Sequence, residues 1–435
     1  MVSVASRRHS TQRRAVAVFG VVAVACSAAT GSSVAARTST AAPVDAGRSP
    51  RGASARTVRI ALAESQAQVR LTSAGAWELF AEDGRSAVAL TNAGERWLLE
   101  REGAGIRAMR EDSRPVTGRE RTVIARPAVT DGAISINGRR YRGELAITAT
   151  ADGLTVVNRV NMDDYLQGVV PLEIGTSAQV DAAAVEAQAV SARSYAVTHL
   201  GAGGRLFDMR ATVADQVYGG AGAESGVGNM AVRATTGLVL LYGGQVVNAP
   251  YSSTCGGSTA EPQDVWRAGA EPYLKRVSDQ VPGTTHFYCE GAPKYRWTRV
   301  FSRDELRESI GRYVRSLPGG GSVSAVRRVT VSDVTPAGRV GTLTVETDRR
   351  ALILRGNEMR SALRLPGGEI LYSTYFSVDA VTGRGEVEML TLHGGGNGHG
   401  VGMCQAGAIG RARAGQDFRT ILRTYYPGTT VGTIE

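Results

Sequence analysis

Residues 398–405 read GHGVGMCQ, and this stretch directs the interpretation of the chain. It sets glycines around two polar side chains, His399 and Gln405. Glycine adopts positive φ freely and lets other groups approach its backbone closely. The stretch therefore predicts a backbone folded tightly about two polar side chains, an arrangement that favours a site rather than a plain turn.

Further motifs lie upstream in a fixed order. They are VVPLE at 169–173, AQAVSARSYA at 187–196, QVYG at 216–219, YSSTCGG at 251–257, DVW at 264–266 and PYL at 272–274. Together with GHGVGMCQ, these motifs resemble the SpoIID/LytB family, the peptidoglycan-directed proteins named for stage II sporulation protein D. The resemblance extends from about Leu145 to Val431.

The pattern of the chain predicts an α+β fold. The resemblance implies a mixed SpoIID-like core over residues 145–435, and short alternating stretches over 57–144 predict a smaller N-terminal β-rich module. Asn137-Gly138 predicts a hairpin turn. We expect the main helix from Asp181, a candidate cap, to Leu200, and a last helix over 417–425.

The N-terminus has the features of an export signal. Four arginines precede the apolar run 15–25, which is short for a bilayer span. Residues 1–36 are predicted as a signal peptide, with cleavage after Ala29 or Ala36, and residues 37–56 as a linker. Residues 23–26 also resemble a weak lipoprotein box, so Cys26 is a candidate for lipidation. We expect an exported protein in the periplasm or cell envelope, with membrane contact only through the signal or that lipid.

The charge distribution argues against nucleic acid as a partner. The 435 residues include 50 Lys+Arg and 40 Asp+Glu, a formal net charge of +10. The basic residues are scattered singly and form no block of the kind found in nucleic-acid-binding arms. A positive protein is instead suited to an anionic envelope polymer.

Glu173 is the candidate catalytic residue. It follows Pro171 at what we take to be the entrance to the helical region, between apolar neighbours. A carboxyl group in apolar surroundings keeps its proton to higher pH, as a general acid requires. The resemblance implies that this glutamate is the acid of a lytic transglycosylase.

Other polar residues match the family's motifs and have groups suited to sugar hydroxyls and N-acetyl groups. We predict that they bind the glycan: Gln188, Arg193, Tyr195, Gln216, Tyr218, Ser252, Ser253, His399 and Gln405.

The residues leave other chemistries open. Glycoside hydrolysis generally needs a second carboxylate, for which five aspartates are candidates: Asp163, Asp164, Asp181, Asp208 and Asp215. A pair of Cys404 with His399 or His393 would suggest a peptidase, although the family often has serine at the position of Cys404.

We expect the cysteines to be thiols or disulfides rather than metal ligands. Cys255, Cys289 and Cys404 remain if Cys26 is removed or lipidated, and the sequence does not choose which pair would bridge. No cysteine or histidine pair has the close spacing common in zinc sites. We therefore expect no metal and no cofactor.

These observations predict a peptidoglycan lytic transglycosylase acting on glycan strands of N-acetylmuramic acid and N-acetylglucosamine. The alternative is a non-catalytic peptidoglycan-binding module that enhances a cell-wall amidase, as the LytB part of the family name implies.

Overall fold

The computed structural model describes residues 56–111, 120–129, 131–176, 178–201, 206–266 and 268–433. The predicted signal peptide, Cys26 and nearly all of the predicted linker lie outside these residues. Helices and strands are both abundant and mostly segregated along the chain, which confirms the α+β class.

Within the described ranges the strands are β1 Thr57–Gln66, β2 Gln68–Ser73, β3 Trp77–Phe80, β4 Ala87–Thr91, β5 Trp97–Glu102, β6 Gly105–Arg110, β7 Thr122–Pro127, β8 Ala133–Ile136, β9 Arg139–Arg142, β10 Glu144–Thr150, β11 Gly153–Asn161, β12 Met209–Arg210, β13 Leu238–Tyr242, β14 Gln245–Val246, β15 Tyr251–Ser252, β16 Trp297–Ser302, β17 Val326–Val334, β18 Val340–Thr347, β19 Ala351–Arg355, β20 Phe376–Gly383, β21 Glu386–Gly394, β22 Met403–Cys404 and β23 Thr430–Thr433. The α-helices are α1 Met162–Ile174, α2 Ala182–His199, α3 Gly226–Ala234, α4 Pro262–Trp266, α5 Arg303–Ser316, α6 Glu358–Ala362, α7 Gln405–Arg413 and α8 Phe418–Tyr425.

Two sheets form the N-terminal half. One has the order β12-β1-β11-β10-β7-β3-β4 and the other the order β6-β5-β2-β8-β9. Trp77 on β3 and Trp97 on β5 are both 1% exposed, and their rings meet edge to face with centroids 6.4 Å apart. Such a pair adds about 0.5–1.5 kcal/mol beyond the burial of its area. The two sheets are therefore joined through an aromatic contact.

The sheet that contains β1 crosses the predicted boundary at residue 144. Strand β1 pairs antiparallel with β11, and β10 pairs with β7, so strands from both sides of the boundary share one hydrogen-bonded sheet. Their buried residues also belong to one core with those of α1 and α2. The boundary between the two predicted domains thus remains a prediction, and no break in packing marks it among these strands.

Helix α2 is the centre of the site-bearing region. It contacts α1, α3, α7, α8 and β13. Its small residues Ala184, Ala187, Ala192 and Ala196 are all 0% exposed. Their short side chains let the backbones of neighbouring elements approach the helix closely. The helix therefore fixes the relative positions of segments that are distant in sequence.

A second core lies under the C-terminal sheets β16-β21-β20 and β17-β18-β19. Helix α5 packs there through Leu306 and Ile310, both 0% exposed. Ser302 and Glu305 form a reciprocal capping box at its start. Helix α5 was not predicted from the sequence.

Glu173 lies at the end of a helix, where the sequence interpretation expected the entrance to the helical region. Helix α1 begins at Met162, capped by the side chain of Asn161, and ends at Gly175, whose φ of +68° is left-handed. Pro171 lies inside the last turn of this helix. Within the described residues, no helix has the length and apolar character needed to cross a bilayer.

Candidate functional site

Glu173 is held half-buried by the last turn of α1. Its neighbour Ile174 is 5% exposed, whereas Leu172 on the other side is 45% exposed. The adjacent residues in sequence therefore do not bury the carboxyl group by themselves. Burial comes from the fold, which brings the segment around Val217 against it: the Val217 backbone N–H donates to Oε1 of Glu173 at 2.7 Å.

The environment of Glu173 favours its protonated form. Burial raises the pKa of Glu173, while hydrogen bonding from Val217 and from Gln405 opposes the rise without cancelling it. Desolvation disfavours the charged form of a carboxyl group. Glu173 thus retains a proton at pH values where an exposed glutamate has lost it, as the sequence interpretation expected.

Gln216 connects the buried Tyr165 and the half-buried Tyr251 beside this carboxyl. The hydroxyl of Tyr165 donates to Oε1 of Gln216 at 2.9 Å, and Nε2 of Gln216 donates to the hydroxyl of Tyr251 at 2.9 Å and to the Ala192 carbonyl at 3.2 Å. Burial raises the pKa of both phenols, and the charge of Glu173 adds to the rise. The tyrosines therefore stay neutral, and Gln216, which is 1% exposed, has its amide occupied by protein groups.

Gln405 and Gln188 connect two helices at the same place. Nε2 of Gln405, at the start of α7, donates to Oε1 of Gln188 on α2 at 3.2 Å. Gln405 is 5% and Gln188 0% exposed. Nε2 of Gln188 has no hydrogen-bond partner among the described residues, although buried donors are normally paired.

Three of the nine predicted binding residues have accessible side chains: Tyr195, Ser253 and His399. The Tyr195 hydroxyl lies 3.4 Å from Oδ1 of Asp215, and its ring stacks on that of His199. Ser253 is exposed. These residues present polar groups that an external ligand could reach.

His399 is a neutral imidazole packed beside an aromatic surface. Its Nδ1 accepts the Val401 N–H at 3.1 Å, and its ring lies 4.8 Å from that of Trp266, which is 37% exposed. Burial and, next, the Arg360 guanidinium lower the pKa of His399 to about 3. An imidazole with so low a pKa is a weak base, and its Nδ1 already accepts a backbone hydrogen bond, so His399 is poorly suited to general-base catalysis.

Three other predicted binding residues are engaged in the fold itself. Arg193 is 0% exposed and donates to Asp163 at 2.8 Å and to the Thr235 carbonyl at 2.7 Å. The buried Tyr218 hydroxyl donates to Asn158 at 2.8 Å, and Oγ of Ser252 accepts the Gly400 N–H at 3.1 Å. These contacts give each residue a positioning role.

The five candidate second carboxylates have protein partners. Asp163, Asp181 and Asp208 form ion pairs with Arg193, Arg413 and Arg59, and Asp164 is bonded to Asn161. Asp215 differs because one of its partners is the Tyr195 hydroxyl, at 3.4 Å; the other is the Arg210 N–H, at 2.8 Å. Burial raises the pKa of Tyr195, and the charges of Asp215 and Glu173 both add to the rise. Asp215 is therefore the carboxylate to test as a partner of Glu173.

The sequence interpretation missed Tyr165, Tyr251 and Trp266 as members of the site. Tyr251 and Trp266 stand inside motifs that it used for the family resemblance, at the start of YSSTCGG and at the end of DVW. Tyr165 lies in α1, which was not predicted, and no motif marked it.

Cys255, Cys289 and Cys404 converge, although they are far apart in sequence. All three carry free thiols and are buried. The spacing argument against a cysteine site considered only neighbours in sequence, whereas these residues come from separate segments that pack together. Neither His393 nor His399 is part of the group.

An open cavity of about 770 Å³ lies elsewhere. It is lined by residues of β16, β20 and β21, among them Trp297 and His393, and by Tyr375, which precedes β20. None of the predicted site residues lines it. Concavity alone would therefore not have identified the surroundings of Glu173.

Comparison with known proteins gives two domain matches. The sequence model described as Stage II sporulation protein matches residues 150–242, and a domain of unknown function (DUF8618) matches residues 282–402. The first range includes Glu173 and most of the predicted binding residues.

Curated relatives extend the similarity. The chain is 30% identical to an uncharacterized protein of Brachyspira hyodysenteriae over 304 residues, which cover 69% of this chain and 75% of that protein. It is 30% identical to the amidase enhancer of Bacillus subtilis over 69% of this chain, but only 45% of that relative is covered. It is 26% identical to the stage II sporulation protein D of Bacillus subtilis over 72% of this chain and 85% of the relative.

Proposed function

The chain belongs to the SpoIID/LytB family, and from this membership we propose that it acts on bacterial peptidoglycan as an exported lytic transglycosylase. Glu173 is the general acid and base of this proposal. The substrate is the glycan strand, cut between N-acetylmuramic acid and N-acetylglucosamine.

The reaction needs one carboxyl group that works twice. Protonated Glu173 gives its proton to the glycosidic oxygen as the bond from the muramyl C1 breaks. The resulting carboxylate then takes the proton of the muramyl C6 hydroxyl, whose oxygen closes on C1. The product ends in a 1,6-anhydro ring, and Glu173 is protonated again without any water being consumed.

The raised pKa of the half-buried Glu173 is the observation that supports this proposal. An acid in this environment is protonated when substrate arrives, and the Val217 N–H bond at 2.7 Å stabilises the carboxylate formed after transfer. A hydrolase would need a second carboxylate to activate water. Three of the five candidates are already held in ion pairs.

Accessible groups of the predicted site are suited to a glycan. Tyr195 and Ser253 offer hydroxyls, and Trp266 beside His399 offers an exposed ring on which a sugar face can pack.

A second function is favoured by the relative named an amidase enhancer. In that case the same surface binds peptidoglycan without cutting it, and a cell-wall amidase is the partner that does the chemistry. The many predicted binding residues that are engaged in the fold suit a rigid binding surface as well as an active site. Export through residues 1–36, with or without a lipid on Cys26, belongs to both functions.

Mass spectrometry of glycan strands distinguishes the two functions. Strands with and without stem peptides are incubated with wild type, with Glu173→Gln and with Glu186→Gln. Glu186 is the matched control because it is also a half-buried glutamate whose pKa is raised by burial.

Anhydromuramyl ends that disappear only in Glu173→Gln support the transglycosylase. Reducing ends instead of anhydro ends would mean hydrolysis. Strands that are bound but uncut by the wild type would refute the enzyme and support the enhancer. An added amidase should then work faster in the presence of the wild type and of either variant.

A further inference from the structure

Three thiols and one carboxylate meet in the interior of the protein, and the proposed reaction uses none of them. We call this group the sulfur cluster; its members are Cys255, Asp279, Cys289 and Cys404. One ligand atom from each lies within 4.8 Å of the others, and every member is at most 1% exposed. Four donors this close and this well buried are an unusual concentration of metal-binding groups.

Two of the distances within the cluster fit the edges of a tetrahedron. Sγ of Cys255 lies 3.7 Å from Sγ of Cys289 and 3.3 Å from Oδ2 of Asp279. Zinc binds thiolate sulfur at about 2.3 Å and carboxylate oxygen at about 2.0–2.2 Å, so the edges of a tetrahedral site measure about 3.5–3.8 Å. The observed separations are close to these edges.

The carboxylate is oriented by groups behind it. Oδ1 of Asp279 accepts the Tyr425 hydroxyl at 2.6 Å and the Arg411 guanidinium at 3.1 Å. Oδ2 is the oxygen that faces Cys255. Ligating carboxylates are commonly held in this way by hydrogen bonds to the oxygen that does not bind the metal.

Backbone N–H groups point at two of the sulfurs. Sγ of Cys404 accepts from the N–H of Cys255 at 3.2 Å and from that of Gly407 at 3.3 Å. Sγ of Cys255 accepts from the N–H of Gly257 at 3.4 Å. Such donors stabilise negative charge on sulfur, and they suit thiolates better than neutral thiols.

The buried charges balance if three thiolates and a dication are present. Arg411 is 7% and Arg339 1% exposed, and Arg339 donates to the Cys255 carbonyl at 2.9 Å. Three thiolates and Asp279 bring four negative charges, which the two arginines and one dication neutralise. Without the ion, the three thiolates and Asp279 would leave two buried negative charges that the arginines do not neutralise, and an uncompensated buried charge is costly.

We propose that the sulfur cluster binds one zinc-class dication in a closed, structural site. A site with four buried protein ligands leaves no open position for substrate, which separates it from catalytic zinc. Cys404 is followed directly by Gln405, and Cys255 lies two residues after Ser253. The bound ion would therefore fix two segments that carry candidate site residues.

The first test uses the wild-type full-length chain, purified without chelators. Elemental analysis should find about one zinc per chain. X-ray absorption at the zinc edge should find sulfur scatterers at about 2.3 Å with one oxygen ligand. A chain that contains no bound metal, or peptide mapping that finds a disulfide between any two of the three cysteines, would overturn the proposal.

Variants test which residues bind the ion. Cys404→Ser and Asp279→Asn should each weaken zinc binding at least tenfold in competition with a chromophoric chelator. Cys26→Ser and Asp208→Asn are the controls and should bind zinc as the wild type does. Asp208 is a fair match for Asp279 because its side chain is 2% exposed and bonded to an arginine, Arg59.

Either cluster variant could fail to fold, in which case the absorption spectrum of the wild type decides alone. Zinc found with nitrogen or oxygen ligands only would place it outside the sulfur cluster and refute the assignment. Unchanged affinity in folded Cys404→Ser would refute it equally.

Discussion

The surroundings of Glu173 and the sulfur cluster share the same short strands but differ in almost every physical respect. Strand β15 pairs in parallel with β22. Tyr251 and Gln405, on or beside these strands, lie on the Glu173 side. Cys255 and Cys404 belong to the sulfur cluster. Around Glu173 a titratable group is half-buried and has accessible neighbours. In the cluster every polar group is enclosed.

This difference indicates that adjacent residues have separate roles, one in stability and one in chemistry. A closed cluster with fixed ligands makes the backbone on either side of it rigid. A reactive carboxyl needs neighbours held in place while it remains reachable itself. Residues one position apart, Cys404 and Gln405, can thus serve stability and chemistry separately.

The largest expected effect concerns the protonation of Glu173. The first step requires the protonated acid, and burial raises its pKa. Cleavage should therefore persist above the pH at which an ordinary glutamate ionises, about 4.3, and decline as pH rises through the raised value. Glu173→Gln should lower the rate about 10²–10⁴-fold at every pH. Anhydromuramyl ends counted by mass spectrometry across a pH series give the profile.

The control for that profile is Glu186→Gln, which should keep both the rate and the pH midpoint. A wild-type rate that continues to rise beyond neutral pH would contradict the role of Glu173 as the initial acid. It would also remove the contrast between a titrating site and a closed cluster.

The next effect concerns the charge that supports the cluster. Arg411→Met removes a buried partner of Asp279, whose side chain is 0% exposed. Breaking a buried pair by removing one member costs about 3–5 kcal/mol. Arg312→Met is the control, because Arg312 and Glu308 form an exposed pair one helical turn apart on α5, of a kind that contributes about 0.3–0.5 kcal/mol.

Thermal unfolding followed by circular dichroism compares the two arginine variants. Arg411→Met should unfold at a clearly lower temperature than Arg312→Met. If the two variants unfold together near the wild-type temperature, Asp279 does not depend on Arg411, and the charge argument for the cluster fails.

A smaller effect should distinguish two neighbouring serines that the sequence interpretation treated alike. Ser252→Ala leaves the buried Gly400 N–H without its acceptor, which costs about 1–3 kcal/mol of stability. Ser253 is exposed, so Ser253→Ala should change stability by no more than about 0.5 kcal/mol and weaken glycan binding instead. Unfolding and strand-binding measurements on both variants check this. If Ser253→Ala lost stability and Ser252→Ala lost glycan binding instead, the exposed serine would have the structural role.

Local signals in the sequence identified several elements correctly. Asn137 and Gly138, with φ of +49° and +80°, form the predicted hairpin turn between β8 and β9. Helix α2 and the Asp417-capped α8 begin and end within a residue or two of their predicted bounds. In each case the determining contacts lie within a few residues of one another, so a single sequence contains them.

Some features were missed although a signal was present. The Ser302 to Glu305 spacing is a capping-box pattern, and it precedes α5. Pro171 was expected at the entrance to the helical region, yet it lies in the last turn of α1. Asp181 was expected to cap α2, but its carboxylate bonds Arg413 and Thr176 instead. Here tertiary partners overrode a local preference.

The cluster and the burial of the binding residues had no local signal at all. Cys255 and Cys404 are 149 residues apart, so only the packed fold brings their sulfurs together. The same holds for Gln188 and Gln405, separated by 217 residues. Family motifs supplied the candidate residues near Glu173, but which of them are accessible depends on those long-range contacts.

The smallest expected effect tests whether Glu173 is held at a cost to stability. Its pKa is raised in the folded protein, so between the pKa of an unfolded-chain glutamate and the raised value the folded state binds more protons. The free energy of unfolding therefore falls as pH rises through this window and stays lower above it. Glutamine carries no charge and can still accept the Val217 N–H. Glu173→Gln should accordingly unfold at a slightly higher temperature than the wild type at neutral pH and lose this advantage in acid. If the variant and the wild type differ in unfolding temperature by the same amount at both pH values, burial of the Glu173 charge does not destabilise the fold.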